Sequence, residues 1–263
     1  MKRAYAVVTG ASSGIGRELA MILAREGYAL VLVARRTDAL RELADRLLQA
    51  HGTPCVVVGA DLALPGGVDS LVREVSERGL DVEFLVNSAG FGLAGAFDAL
   101  PAGPQLGMID LNVRALTALT HALLPAMVVR RRGYVLHVAS MAAFQPGPLM
   151  AVYYATKAYV LSLSSALHEE LRGKGVHVTA LCPGYTETEF ASRAADGPKP
   201  RLFEGPFGRG DPRQVAEAGF RAVKRGRAVV VPGLRNRLGT WFMLLSPRAL
   251  QVRITRYINS SAA

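Results

Sequence analysis

The chain reads as one α/β domain on a doubly wound parallel sheet of about seven strands, with helices on both faces. Two patterns carry that reading. Short apolar runs recur at Ala4–Val8, Ala29–Val33, Cys55–Val58, Phe84–Val86, Tyr134–Val138, Val176–Leu181 and Ala228–Val231. Longer amphipathic stretches separate them: Arg17–Glu26, Asp38–Gln49, Gly67–Arg78, Leu106–Val129, Val152–Arg172 and Pro212–Lys224. Strands that alternate with helices pair in parallel, because a parallel neighbour needs a crossover connection. At 263 residues and 28.0 kDa, half of them hydrophobic, the chain is long enough for one large core. No domain boundary and no repeat interrupts it.

The first strand and helix enclose Thr9-Gly10-Ala11-Ser12-Ser13-Gly14-Ile15-Gly16. Strand, glycine turn and helix is the setting of a phosphate-binding turn, and so of a Rossmann-like dinucleotide site. Gly10, Gly14 and Gly16 remove side chains where backbone must approach a pyrophosphate or where helix meets strand. The amides at the helix start then meet negative charge, and Ser12 and Ser13 add hydroxyls. The second strand ends in Val33-Ala34-Arg35-Arg36, where an NAD enzyme places an acid for the ribose hydroxyls. Guanidinium groups there welcome a 2′-phosphate, so the expected cofactor is NADP(H). Thr37 or Asp38 is the expected N-cap of the second helix. Ligands of such a sheet bind beyond the carboxyl ends of the strands, where Gly10, Asp61, Asn87, Ser140 and Pro183 fall.

The chemistry centres on the helix after the fifth strand. Tyr153 and Lys157 stand at i and i+4, so both project from one face. An ammonium beside a phenol favours the phenolate and pulls its pKa down, which suits Tyr153 to acid/base work. Ser140, thirteen residues upstream, can polarise a carbonyl. Tyr154 lacks the three-residue gap to Lys157, so the role goes to Tyr153.

Taken together, the glycine turn, Asp61-Leu62, Asn87-Ser88-Ala89-Gly90, Asn112, Ser140, Tyr153-x-x-x-Lys157 and Pro183-Gly184 resemble the short-chain dehydrogenase/reductase family over about three-quarters of the chain. The resemblance implies that Asp61 and Leu62 border the adenine and that Asn87, Ala89 and Gly90 run beneath the cofactor. It implies that Pro183, Gly184, Thr186 and Thr188 hold the nicotinamide end. Lys157 would also bond the nicotinamide ribose, and Asn112 would anchor a water linking Lys157 to solvent. Ser88 departs from the family's usual Asn, and Thr186 from its usual Ile or Val. The family commonly pairs through the two long helices matching Leu106–Val129 and Val152–Arg172, so a homodimer or homotetramer is expected.

Phe91, Ala142, Phe144, Leu149, Met150, Tyr185 and Phe190 follow these strand ends and make a largely apolar pocket. A lipophilic ketone or 3-oxoacyl chain suits it better than a free sugar. The alternative function is a non-catalytic dinucleotide sensor of the same fold, against which the intact Ser140/Tyr153/Lys157 set argues. Residues 187–211, rich in Gly, Pro and basic residues, read as a mobile loop or a substrate lid. Cys55 and Cys182 have no metal spacing and are expected to be buried; His137 is expected to be a satisfied strand histidine. With no stretch of roughly 20 uninterrupted apolar residues and no room for a signal peptide before the first strand, the expected location is cytoplasmic.

Charge is segregated along the chain. Residues 1–192 hold 17 basic and 17 acidic side chains, and residues 193–263 hold 14 and 4, so the whole net charge of +10 belongs to the last quarter. No nucleic-acid motif accompanies it, and no nucleic-acid partner is expected. Within residues 233–258, Arg235, Arg237, Arg248, Arg253 and Arg256 alternate with apolar residues, and Pro247 divides the segment into two helices. Three roles are open for it: a helix pair over the pocket, a subunit contact, or a peripheral contact with an anionic membrane.

Overall fold

The computed structural model describes residues 3–186 and 210–260. Seven parallel strands form one sheet in the order β3-β2-β1-β4-β5-β6-β7. They are β1 (Tyr5–Thr9), β2 (Ala29–Ala34), β3 (Cys55–Gly59), β4 (Val82–Asn87), β5 (Gly133–Val138), β6 (Val176–Leu181) and β7 (Val229–Val230). The connecting helices are α1 (Gly14–Arg25), α2 (Thr37–His51), α3 (Gly67–Glu77), α4 (Ala102–Ile109), α5 (Leu116–Val129), α6 (Ala151–Glu170) and α7 (Pro212–Lys224). After β7 come α8 (Leu234–Leu245) and α9 (Arg248–Asn259), with Pro247 immediately before α9.

Strand alternation divides the core into two layers. Ala6, Val8, Leu30, Leu32, Phe84 and Val86 point to the face covered by α1, α2 and α7. Val7, Val31, Val33 and Leu85 point to the other, where they meet Leu71 of α3 and Leu119 and Met127 of α5. Strand order reverses between β1 and β4, and the crevice above those carboxyl ends is where an open sheet of this kind takes ligands.

Two local features differ from the sequence expectations. The N-cap position of α2 is Arg36, without a side-chain cap; Thr37 and Asp38 lie inside the first turn, where Asp38 accepts from Arg41 at 3.0 Å. The helix expected from Leu106 starts at Ala102 and runs to Val129, with a π turn at Asp110–Ala115 between α4 and α5. By length and composition an 18-residue stretch of this helix is apolar enough to cross a membrane, at mean hydropathy 1.3, yet Leu116, Leu119, Leu123 and Met127 bury one of its faces in the core.

Candidate active site

A cavity of about 580 Å³ runs from the glycine turn, over the ends of β1 and β4, to the two C-terminal helices. At the first end the backbone sets the shape. Gly10 has φ +67°, and a Cβ there would lie 2.9 Å from the Ala89 amide; one on Gly16 would lie 2.4 Å from the Gly10 carbonyl oxygen. Thr9 Oγ1 accepts from the amides of Ser88 at 3.0 Å and Ala89 at 3.1 Å, which ties the glycine turn to the end of β4. Helix α1 begins at Gly14, with Ser13 at its N-cap, no side-chain cap and no acid in its first turn. No acid of its own first turn offsets its positive end, which faces a cleft lined by Ser12, Ser13, Gly14 and Ile15.

Arg35 and Arg36 stand beside this turn. Arg36 Nη2 donates to Ser12 Oγ at 3.3 Å, and Arg35 Nη1 lies 3.7 Å from Asp61 Oδ2. Asp61 Oδ1 accepts from the Ala63 amide at 3.0 Å, and Leu62 adds an apolar wall. Tight glycine geometry, a helix start with no acid in its first turn and two guanidinium groups at the end of β2 fit a phosphorylated dinucleotide.

Ser140, Tyr153 and Lys157 meet further along the same cavity. Ser140 Oγ accepts from the Ala142 amide at 3.1 Å and shares a hydrogen bond with Tyr153. Lys157 Nζ donates to the Val138 carbonyl at 2.8 Å and sits 5.8 Å from the centre of the Tyr153 ring. Burial dominates the titration of both. It holds the Tyr153 phenol well above its ordinary pKa, partly offset by the Ser140 hydrogen bond, and it pushes Lys157 down to about 8. The expected fall in the Tyr153 pKa is thus reversed, because loss of hydration outweighs the lowering hydrogen bond from Ser140. Tyr153 is held as the protonated phenol.

Asn112, in the π turn, is not a cavity wall. Its Oδ1 accepts from the Phe91 amide at 3.1 Å, and its Nδ2 donates to the Phe91 carbonyl at 2.9 Å and to Thr156 Oγ1 at 3.1 Å. A Cβ on Gly90 would lie 2.9 Å from Asn112 Oδ1 and 3.6 Å from Lys157 Nζ, so the missing side chain is what lets these groups approach. Asn87 is also turned inward, donating to Thr120 Oγ1 at 3.0 Å, while Ser88, Ala89 and Gly90 line the cavity. Pro183, Gly184 and Thr186 line its far side, and Thr186 Oγ1 donates to the Gly184 carbonyl at 3.1 Å. Thr188, Phe190 and all but the last two residues of the 187–211 segment lie outside the described residues.

Of the expected pocket residues, Phe91, Ala142, Met150 and Tyr185 line the cavity. Phe144 packs instead with the Val160 and Cys182 cluster. Leu149, at φ +65°, is held by its carbonyl, which accepts from the Gly95 amide at 2.7 Å. The remaining wall comes from the C-terminal helices: Asn236, Phe242, Met243, Ile254 and Ile258. The expected pocket residues did not include these; the i, i+4 spacing of Ile254 and Ile258 is the signal that could have found them. Asn259 fixes α9 in place, since its Oδ1 accepts from Tyr154 Oη at 3.1 Å and its Nδ2 donates to the Pro148 carbonyl at 2.9 Å.

His137 is fully buried between Thr120 Oγ1 at 3.1 Å and Ser164 Oγ at 2.9 Å, and burial holds it neutral, near 3. Both cysteines are free; Cys182 is buried and Cys55 half-buried. No group of His, Cys, Asp or Glu among the described residues could hold a metal.

A doubly wound dinucleotide-type domain with serine, tyrosine and lysine gathered at its strand ends defines a class of oxidoreductase. The chain belongs to the short chain dehydrogenase family, whose profile matches residues 4–199. It is 34% identical over 202 residues to an oxidoreductase of Staphylococcus epidermidis, covering 77% of this chain and 86% of that one. It is 33% identical over 192 residues to the very-long-chain 3-oxoacyl-CoA reductase of Rattus norvegicus, covering 71% of this chain and 61% of the relative. Among solved structures, a short-chain dehydrogenase from Sphingobium yanoikuyae in complex with NADPH superposes with a TM-score of 0.82 at 33% identity, covering 91% and 92% of the two chains.

Proposed function

We propose that this oxidoreductase uses NADP(H) to interconvert a carbonyl and a secondary alcohol on a lipophilic substrate, a ketone or 3-oxoacyl chain. The observation that carries the reading is the convergence of Ser140, Tyr153 and Lys157 on one cavity whose opposite end presents Arg36 joined to Ser12. The likeness to an NADPH complex and to a 3-oxoacyl-CoA reductase supports it. Gly10, Ser12, Ser13 and the start of α1 would hold the pyrophosphate, Arg35 and Arg36 the 2′-phosphate, and Lys157, Pro183, Gly184 and Thr186 the nicotinamide riboside. Bound there, the nicotinamide supplies or accepts the hydride.

The chain's own residues manage the oxygen and its proton. Ser140 donates a hydrogen bond to the substrate oxygen, polarising the carbonyl. Tyr153, kept protonated by burial, delivers its phenolic proton to that oxygen during reduction and takes it back during oxidation. Lys157 stabilises the transient phenolate by its charge, and solvent returns the proton to Tyr153. Asn112 positions Phe91 and Thr156 around them, so any water it anchors meets its main chain, since its side chain is already engaged. Apolar residues on the far wall, Met150, Phe242, Ile254 and Ile258, accept the substrate's hydrocarbon part.

The test is NADPH oxidation followed by absorbance, with ketones and 3-oxoacyl thioesters of graded chain length. Turnover that rises with chain length and disappears in Tyr153→Phe is expected. Tight NADPH binding with no turnover on any carbonyl would replace the enzyme by a dinucleotide sensor.

A further inference from the structure

Helix α8 is amphipathic in the wrong sense for a helix that merely closes a core. Its buried positions are Thr240 and Met243, with Asn236 and Gly239 half-buried beside them. Among its exposed positions are Leu234 at 70%, Leu238 at 62%, Trp241 at 66% and Leu245 at 80% relative exposure. The spacing of four, three and four residues puts these side chains within an arc of about 60°, at 3.6 residues per turn. Water gains nothing from such a stripe, and a continuous exposed apolar surface marks a place where something binds.

The charge around the stripe says what binds. Arg235 and Arg237 flank it on α8, and Arg248, Arg253 and Arg256 stand exposed on α9. No Asp or Glu follows Glu217 in the chain, and none of these five arginines has a carboxylate partner among the described residues. A second copy docked through the same face would set arginine against arginine. An anionic bilayer matches both features, because its acyl boundary takes the leucines and the tryptophan while its headgroups take the guanidinium groups.

We infer that α8 and α9 form a docking surface for an anionic lipid bilayer. The same helix that carries the outer stripe supplies Gly239, Phe242 and Met243 to the cavity. A docked bilayer therefore lies about one helix diameter, roughly 10–12 Å, from the substrate end. A hydrophobic substrate then passes between acyl chains and cavity without crossing water; that step rests on the proposed function, whereas the docking does not.

The chain has one tryptophan, Trp241, at the centre of the stripe, so its fluorescence reports docking directly. Full-length protein is mixed, without cofactor or substrate, with vesicles of phosphatidylcholine alone or in equal parts with phosphatidylglycerol. Sedimentation with the anionic vesicles and a blue shift of Trp241 emission are expected, both reversed by high salt. Each arginine contributes roughly fivefold at a charged surface, so changing all five to glutamine lowers vesicle affinity by a hundredfold or more. Leu238→Ser with Leu245→Ser keeps the charge and removes the blue shift; both positions are exposed, so folding is preserved. No sedimentation, or sedimentation that ignores lipid charge, overturns the inference. So does a Trp241 emission already blue-shifted without lipid in a protein of multiple mass, which assigns the stripe to a second copy. Equal blue shifts with soluble polyglutamate assign it to an acidic macromolecule instead. Turnover is not read in any arm, so a failure of the catalytic reading leaves these outcomes unchanged.

Discussion

The two ends of the cavity are built on opposite terms. At the glycine turn, main chain meets main chain: Gly10 and Gly16 leave no room for a Cβ, and Thr9 holds two amides of the next strand end. At the other end, side chains of α8 and α9 form the wall, and their position depends on Asn259 bonding to Tyr154 across 105 residues of sequence. The first end admits few residue types, and the second accepts any apolar side chain of suitable size. The first should therefore govern whether cofactor chemistry happens at all, and the second which substrate is used.

The largest expected effect sits where the two ends meet. Tyr153→Phe removes the phenolic hydroxyl, and with it the proton and the hydrogen bond shared with Ser140, so turnover should fall by about 10²–10⁴, the usual worth of a positioned proton donor. NADPH binding, measured by fluorescence titration, should change little. Equal loss from Phe242→Ala would break the division, because a wall residue would then be as necessary as the acid. The next effect belongs to the glycine end. Arg36→Asp should shift preference from NADPH toward NADH by one to two decades, from about 1.5–3 kcal/mol for a charge-assisted contact. Arg35→Asp should shift it less, since Asp61 already faces Arg35 at 3.7 Å. An unaltered enzyme that uses NADH as well as NADPH removes this prediction.

Legibility followed the same division. The strands, the glycine turn and the Tyr153/Lys157 pair were readable because each is marked by a pattern within a few residues of chain, whereas the order of the strands in the sheet was not. Asn87 and Asn112 were expected at the site by resemblance, but that their side chains turn inward depends on Thr120, Phe91 and Thr156, which are distant in sequence. The direction of the Tyr153 shift was misread for a related reason. A helical i, i+4 spacing reports which groups are neighbours and says nothing of how deeply both are buried. The tail showed its composition and its break at Pro247, while which of its faces met the cavity was settled only by tertiary packing.

Burial also fixes a pH dependence. Lys157 is held down at about 8, so its positive charge is present below that pH and lost as pH rises through it. With the charge goes the proposed contact with the riboside, and kcat/KM for NADPH, which reports the free enzyme, should fall about tenfold per pH unit above 8. His137, also fully buried, stays neutral throughout this range and contributes nothing to the profile. Lys157→Met should remove the descending limb along with most of the activity. A limb that keeps its midpoint in that variant assigns the titration to another group.

The smallest effect sharpens the comparison most, because Tyr154 adjoins the acid yet serves the wall. Burial pushes its pKa up to about 12, as it raises that of Tyr153, but its hydroxyl donates to Asn259 Oδ1 at 3.1 Å and so is engaged with α9 rather than with Ser140. Tyr154→Phe leaves Asn259 Oδ1 without its donor in a buried setting, a cost of about 1–3 kcal/mol. Thermal unfolding should then move down by roughly 2–4 °C for each kcal/mol lost. NADPH affinity should hold, turnover should stay within a few-fold, and KM for the carbonyl should rise as α9 loosens its hold on Ile254 and Ile258. Asn259→Leu should give the same pattern, and the double variant should lose less than the two singles combined, because the second change removes the acceptor that the first left unpaired. A Tyr154→Phe enzyme that is inactive beside an active Tyr153→Phe would exchange the two tyrosines, and with them the boundary between chemistry and wall.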